Sequence, residues 1–425
     1  MKPLNRLVFS SLTGVLCEKI VAAVAAVASN HLFARIYGAG PFGELQFALS
    51  LAAVAGSAAL LFSAQSVAPI LGKYPRMRHI VFYRAFRLRL VSTLGIMLAF
   101  SLGAWFLMAQ SSAELAIVAG VLLIVEPIAL GSLMAYAETS PWIVTRARTL
   151  ASVVRVGWLF MAAHAAAGPL IASIAWPIEG IVAAAGPFLR YSKLAISTPK
   201  SLLGDSVVTK TLVVRGLKFW PAVVAGVLVV RLDRVLLGML ISKADLGIYA
   251  AAASLVEQWN AVGAALSLAL GPGMVFIARN DVQLRAKALK LGVYLSILGA
   301  VAFAGSLVIG RMVFLAIYGP AFEAGASVMI YATGCSIVLF GDYGLTTWLI
   351  AARKYRLILI KQGVTVLSIA FSAFVAPKAW IMYAPSTATA MSLIIFWCVI
   401  YGRNAYQTRK IGEPSPSNSY PGPNV

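Results

Sequence analysis

Eight ionisable side chains stand near the middle of long apolar stretches of this sequence: Glu126, Arg155, Glu179, Arg231, Asp233, Arg234, Glu257 and Asp342; Lys19 and Lys361 also lie within such stretches. In such a setting arginine supplies a forked donor that fits phosphate or carboxylate oxygens two at a time. A buried carboxyl supplies a group that can take up and release a proton. Arg231 and Arg234 are spaced to share one helix face, with Asp233 turned roughly a third of a turn away. This is chemistry for holding an anion and moving charge. Motifs for bond-breaking are missing. His31, His79 and His164 are scattered, and Cys17, Cys335 and Cys398 lie far apart in apolar runs, without metal or disulfide spacing. The cysteines read as small buried hydrophobes. Gly38, Gly40 and Gly43 formally spell G-x-G-x-x-G, but apolar runs of helix length flank them where a dinucleotide site needs a strand, so they read as an exposed turn. No Walker motif is present. No catalytic residue, metal or cofactor is expected.

The elements that position these groups follow from composition. Of 425 residues, 60% are hydrophobic and 12% charged, against about 25% charged in a soluble globular chain. Mean hydropathy is +0.87. A water-soluble enzyme and a disordered chain are both excluded. A membrane-spanning helix needs roughly 20 mostly apolar residues, and twelve stretches qualify: 12–34, 44–70, 88–109, 113–137, 147–167, 169–189, 217–241, 247–272, 289–309, 325–350, 355–377 and 380–401. They are continuous in Leu, Ala, Val and Ile, without the alternation of a membrane β-barrel. Leaving eight charged groups in lipid would cost about 20–28 kcal/mol, more than the roughly 5–15 kcal/mol that stabilises an ordinary fold. They must line a polar interior or pair with one another.

The net charge is +21. Basic residues crowd one set of loops: Lys73, Arg76, Arg84, Arg87 and Arg89 after the second span, Arg146 and Arg148 after the fourth, Arg190 to Lys218 after the sixth, and Arg279 to Lys290 after the eighth. The opposite loops hold only Arg35, Lys243, Arg311 and Lys378. The positive-inside rule then places both termini in the cytoplasm. Glu18 and Lys19 interrupt the first apolar stretch, so it reads as an uncleaved span. Arg84, Arg87, Arg89, Arg146, Arg148, Arg215 and Lys218 would form a cationic cytoplasmic mouth able to attract an anionic headgroup. Basic residues flank spans and form no separate basic domain, which argues against nucleic acid as a partner. Pro127 follows Glu126, Pro177 precedes Glu179, and Pro221 and Pro385 lie in later spans, so kinks are expected beside interior acids.

A shift of 204 residues lays Phe42 on Leu246, Gly43 on Gly247, Ala48 on Ala252 and Ser50 on Ser254, and carries the first six spans onto the last six. Six spans return the chain to the same side, so the halves are parallel repeats about an axis along the membrane normal. The expected fold is an all-α integral membrane protein of twelve transmembrane helices in two six-helix bundles. The expected domains are 1–195 and 216–402, joined by a cytoplasmic linker at 196–215, with a disordered cytoplasmic tail at 403–425.

Two stretches carry a family resemblance. Arg231, Asp233, Arg234 and Gly238 followed by Asp245, Gly247 and Tyr249, and Arg35, Tyr37, Gly38, Phe42 and Gly43, resemble the Wzx-type flippases of lipid-linked oligosaccharides, in the superfamily of MATE exporters and MurJ. By span pattern the resemblance covers residues 7–402. It implies a MATE-like fold in the bacterial inner membrane. It also implies flipping of undecaprenyl-diphosphate-linked repeat units for O-antigen, capsule or exopolysaccharide, with a polysaccharide polymerase and a chain-length regulator as prospective partners. Arg155, Arg231, Arg234 and the cytoplasmic mouth would neutralise the diphosphate. The interior acids, Glu126 and Glu179 foremost, would couple transport to protons. A MATE-type cation-coupled drug exporter is the alternative in class. A membrane polymerase or ligase is a further one, disfavoured because no outward loop exceeds about fifteen residues by these span ends.

Overall fold

A computed structural model describes residues 2–60, 67, 70–71, 77–138, 140–196, 206–277 and 280–412. Among these there is no strand, and the chain forms twelve helical passages: α1 (Lys2–Tyr37), α2 (Ala39–Ala59), α3 (Arg78–Leu107), α4 (Gln110–Ala137), α5 (Pro141–His164), α6 (Pro169–Ser173 continued by Ala175–Ile196), α7 (Ser206–Leu240), α8 (Lys243–Met274), α9 (Asp281–Tyr318), α10 (Ala324–Ala351), α11 (Tyr355–Val375) and α12 (Ala384–Gly412). Local chemistry sets their ends. The Ser242 hydroxyl accepts the Asp245 amide at 3.1 Å to open α8, and Asn280 accepts the Gln283 amide at 2.8 Å to open α9. Gly38 and Gly319 adopt φ of +82° and +88° where α1 and α9 stop.

Nine of the passages are long and apolar enough to cross a membrane among the described residues. The other three are α5, α7 and α8, with 24, 35 and 32 residues. They carry Arg146, Arg148, Arg155, Arg231, Asp233, Arg234 and Glu257. Their length spans the bilayer core at 1.5 Å per residue.

Two expected kinks are present. Pro127 cannot donate to the carbonyl four residues back, and α4 passes through a 3₁₀ segment at Val121–Ile124 and a break at Ala129. Pro177 acts likewise on α6, which breaks at Ile174. Pro221 is accommodated inside α7. Pro385 lies in the first turn of α12, where no helical bond is lost, and kinks nothing.

Two boundaries differ from expectation. α7 already begins at Ser206, so the last ten residues of the expected linker, Arg215 among them, are helical. Residues 197–205 lie outside the described residues. α12 runs to Gly412, so the expected disordered tail begins with ten helical residues. Arg403, Arg409 and Lys410 favour helix. Residues 413–425 lie outside the description. The cysteines also differ: Cys17 and Cys398 are exposed and Cys335 is half-buried. In a membrane protein an exposed apolar side chain meets lipid, so no burial inside the protein is needed.

The repeat is visible in the packing. Gly43 of α2 and Gly247 of α8, equivalent under the 204-residue shift, lie against each other. A Cβ on Gly43 would run into the carbonyl oxygen of Lys243, and one on Gly247 into that of Ala39. Lys243 and Ala39 are themselves equivalent, so the contact is reciprocal, as a two-fold axis requires. The same end is sealed by a cluster of Phe33, Phe42, Phe314, Tyr318 and Phe322, with Phe42 at 6.2 Å from Tyr318 and 6.3 Å from Phe322 between ring centres. Arg35 donates to the Ala316 carbonyl at 2.9 Å, and His31 bonds the carbonyl of Ile317. The equivalent helices α3 and α9 lie outermost and present Val91, Phe106, Val301 and Val308 outward.

Candidate functional site

The interior charges are gathered by two adjoining cavities. One lies in the N-terminal half and measures about 780 Å³. Its charged wall is Arg89 from α3, Glu126 from α4, Arg148 from α5, Glu179 from α6 and Arg231 from α7. Arg89 is buried. Its Nη1 donates to the carbonyl of Glu126 at 2.8 Å, and Nη2 lies 3.7 Å from the carboxylate of the same residue. The proline-induced break in α4 presents that carbonyl, as a helix end does. Glu179 takes two arginines. Arg148 reaches it at 3.7 Å, and Arg155, one helical face and two turns along α5, pairs with it directly. Arg155 is anchored from behind by Ser29 at 2.7 Å and lies over the ring of Trp176. Buried N–H groups remain unpartnered on Arg89 (Nε), Arg148 (Nε) and Arg155 (Nη2). Each leaves a charge-bearing donor short of an acceptor, a state that costs about 1–3 kcal/mol or more.

The second cavity lies in the C-terminal half and measures about 630 Å³. Asp233, Glu257, Asp342 and Lys361 line it, with Gly226, Val230 and Gln362 lining both cavities. Asp342 is held by Lys361 at 2.7 and 2.8 Å and by the indole N–H of Trp397 at 2.8 Å, and Lys361 also reaches Thr346 at 2.6 Å. Asp342 and Lys361 are both buried, a placement that pairing makes tolerable. Asp233 accepts the Tyr249 hydroxyl at 2.5 Å and has no ion pair within 4.0 Å among the described residues. Glu257 stands at the boundary. Arg231 reaches it at 3.4 Å and Arg234 at 2.7 Å. Arg234 is 1% exposed, lines neither cavity, and reaches Gln46 of α2 at 3.3 Å and Ser254 at 3.5 Å.

The sequence-selected residues therefore separate. Arg231, Glu126, Glu179, Asp233, Glu257 and Asp342 line the cavities. Arg155 stands behind Glu179, and Arg234 ties the halves together. Of the expected mouth, Arg84 is half-buried, Arg87, Arg146, Arg215 and Lys218 are exposed, and none of these lines either cavity. Arg89 and Arg148, expected at the mouth, stand in the wall of the N-terminal cavity instead, and Lys361 is the addition. With them the interior holds six bases against five acids, where the sequence reading counted three against five. The spacing of Arg148 to Arg155, seven residues on one helix face, was a signal for Arg148. The sequence marked Arg89 only as one of a run of basic residues and Lys361 only as a lysine within a span.

No family model matches the sequence, and no curated protein does. Among solved structures, the lipid II flippase MurJ in an inward closed conformation superposes with a TM-score of 0.71 over 93% of this chain and 87% of its own, at 11% identity. An inward-facing multidrug resistance MATE family transporter of the MOP superfamily follows at 0.66 over 92% and 96%, with 14% identity. The MATE multidrug transporter DinF-BH, in complex with R6G, matches at 0.61 over 96% of each chain, with 14% identity. Identities this low speak for architecture alone, and on that evidence the chain has the two-bundle helical fold of the solved MurJ and MATE transporters.

Proposed function

We propose that this protein is a flippase that moves undecaprenyl-diphosphate-linked oligosaccharide units across the bacterial inner membrane by alternating access, with both termini in the cytoplasm. The observation that carries the reading is the convergence of Arg89, Arg148 and Arg231, from three helices, on one cavity whose acids are already paired. Arginine forks with unpartnered N–H groups suit a diphosphate. The polyprenyl tail would stay in lipid while the headgroup entered the cavity. With the expected topology, the aromatic cluster around Phe42 and Tyr318 closes the outer side and the cavities face the cytoplasm.

The same fold serves a drug exporter, and the charge of the cavity wall supports the flippase reading. A cationic drug would meet an arginine-lined wall and be repelled. Glu126 and Glu179, the acids expected to carry a coupling proton, are both ion-paired. In the proposed mechanism the coupling acid is Asp233, whose charge no base within 4.0 Å holds in place.

Deleting the gene tests the function. The expected result is loss of a surface polysaccharide and accumulation of lipid-linked repeat units on the inner leaflet. Accumulation of single units already on the outer leaflet would indicate a polymerase or ligase, and unchanged polysaccharide with greater drug sensitivity would indicate an exporter. Reporter fusions at Lys354 and Ser242 test the orientation, with the first expected in the cytoplasm and the second outside.

A further inference from the structure

The two cavities differ in kind, and the difference assigns them to different parts of one ligand. Around the N-terminal cavity the bases outnumber the acids, and Arg89 Nε and Arg148 Nε are buried donors lacking a partner. Around the C-terminal cavity Glu257 and Asp342 are each matched by a base, Asn260 Oδ1 is a buried acceptor lacking a partner, and Gln362 Oε1, on the wall the cavities share, is another. The rest of that wall is rich in hydroxyls, Thr365, Ser386 and Thr389 among them, and has no Phe or Trp. A phosphate cannot satisfy acceptors, because it brings none of the protons they need. An aromatic drug finds no ring to stack on beyond Tyr249 and Tyr343. A metal cation would find a single carboxyl without an ion pair, and Tyr249 already occupies one of its oxygens. A neutral polyol matches the site: its O–H groups donate to the amide oxygens and to the hydroxyl oxygens of Thr365 and Thr389, whose own protons go to the carbonyls of Lys361 and Pro385.

We infer that the C-terminal cavity is a glycan subsite, which holds the first sugars of the headgroup while the N-terminal cavity holds the diphosphate. The shared wall of Gly226, Val230 and Gln362 makes the two cavities neighbours, so one headgroup can reach both. The volume, about 630 Å³, falls within the range of small-molecule sites. This inference rests on the flippase reading and names the part of the substrate that the second cavity would select.

Cys335 lines the C-terminal cavity and serves as a native reporter. The full chain, with Cys17→Ser and Cys398→Ser, is placed in nanodiscs and labelled with a small thiol reagent. Two probes are compared: undecaprenyl diphosphate, and undecaprenyl diphosphate carrying an N-acetylhexosamine disaccharide. Both probes should bind, only the glycosylated one should slow Cys335 labelling, and it should bind about tenfold tighter, as one or two added hydrogen bonds allow. Asn260→Leu should abolish that preference and leave the affinity for bare undecaprenyl diphosphate unchanged. Thr389→Val repeats the test with a smaller change of shape. Equal protection of Cys335 by the two probes, or equal weakening of both by these variants, overturns the glycan subsite. Protection by sodium chloride but by neither lipid makes the cavity a cation site and overturns it as well. If the wild type binds neither probe, the flippase reading itself falls, an outcome distinct from loss of the sugar preference alone.

Discussion

Replacing Arg89 by glutamine separates the two effects that hold an anion in the N-terminal cavity. Arg89 contributes a charge-assisted donor, worth about 1.5–3 kcal/mol when it meets a phosphate oxygen. It also neutralises Glu126, 3.7 Å away. Removing it leaves Glu126 bare on the cavity wall. At roughly 7 Å from a bound phosphate and an effective dielectric of about 20, that charge repels by about 2 kcal/mol. The two losses sum to about 4 kcal/mol, which is nearly a thousandfold in affinity for undecaprenyl diphosphate. The double variant Arg89→Gln, Glu126→Gln removes the repulsion and should recover roughly thirtyfold of that loss. Glu126→Gln alone should tighten binding over wild type. The assay is equilibrium binding of undecaprenyl diphosphate to protein in nanodiscs, with melting temperature measured in parallel to show that the variants fold. Wild-type affinity in Arg89→Gln would refute the reasoning. So would a double variant no better than the single, because Glu126 would then have no part in the field the ligand feels.

Gly43→Ala should prise open the end sealed by the Phe42 cluster, since its new Cβ meets the Lys243 backbone carbonyl and no side chain can yield; thiol labelling of a cysteine placed at Phe322 should rise, and unchanged labelling would mean the two helices are not in contact there in the membrane. Lys361→Met should cost about 3–5 kcal/mol of stability by stranding Asp342, whereas Lys361→Met with Asp342→Leu should stay close to wild type, both read from thermal unfolding in detergent. In proteoliposomes, Asp233→Asn should make headgroup translocation indifferent to an imposed pH gradient while Glu179→Gln keeps its response; a wild type that ignores the gradient would remove proton coupling altogether.

The helices were legible because lipid imposes one rule on every span, and apolar runs of the right length report it directly. α5, α7 and α8 were legible as spans although they carry Arg155, Arg231, Asp233, Arg234 and Glu257, because the alternation of basic loops demands passages there. Partners were a different matter. Glu126 meets Arg89 across 37 residues and Arg234 meets Gln46 across 188, and neither separation leaves a periodic trace. Arg89 was hidden by its neighbours: Arg84 and Arg87 obey the same positive-inside pattern, and only the turn of α3 buries one and exposes another. Lys361 was hidden by its span, where a lone lysine has no visible purpose until Asp342 of another helix lies beside it. The tail was misread because proline at 414 and beyond coloured the ten helix-forming residues before it.

Glu257 is doubly held, by Arg231 at 3.4 Å and by Arg234 at 2.7 Å. Its two arginines face different company, since Arg231 borders the N-terminal cavity and Arg234 touches Gln46 of the other half. A phosphate that draws Arg231 away strips Glu257 of the looser bond and leaves the tighter one. No carboxylate is orphaned, so the ligand meets a lender that gives up one arm and remains neutral. What changes is Arg234, which becomes the sole counter-charge of Glu257 through Nη2 while Nη1 of the same rigid fork holds Gln46. Occupancy of one cavity thus reaches the seam between the bundles through a single carboxylate, with no side chain required to travel more than the length of a hydrogen bond.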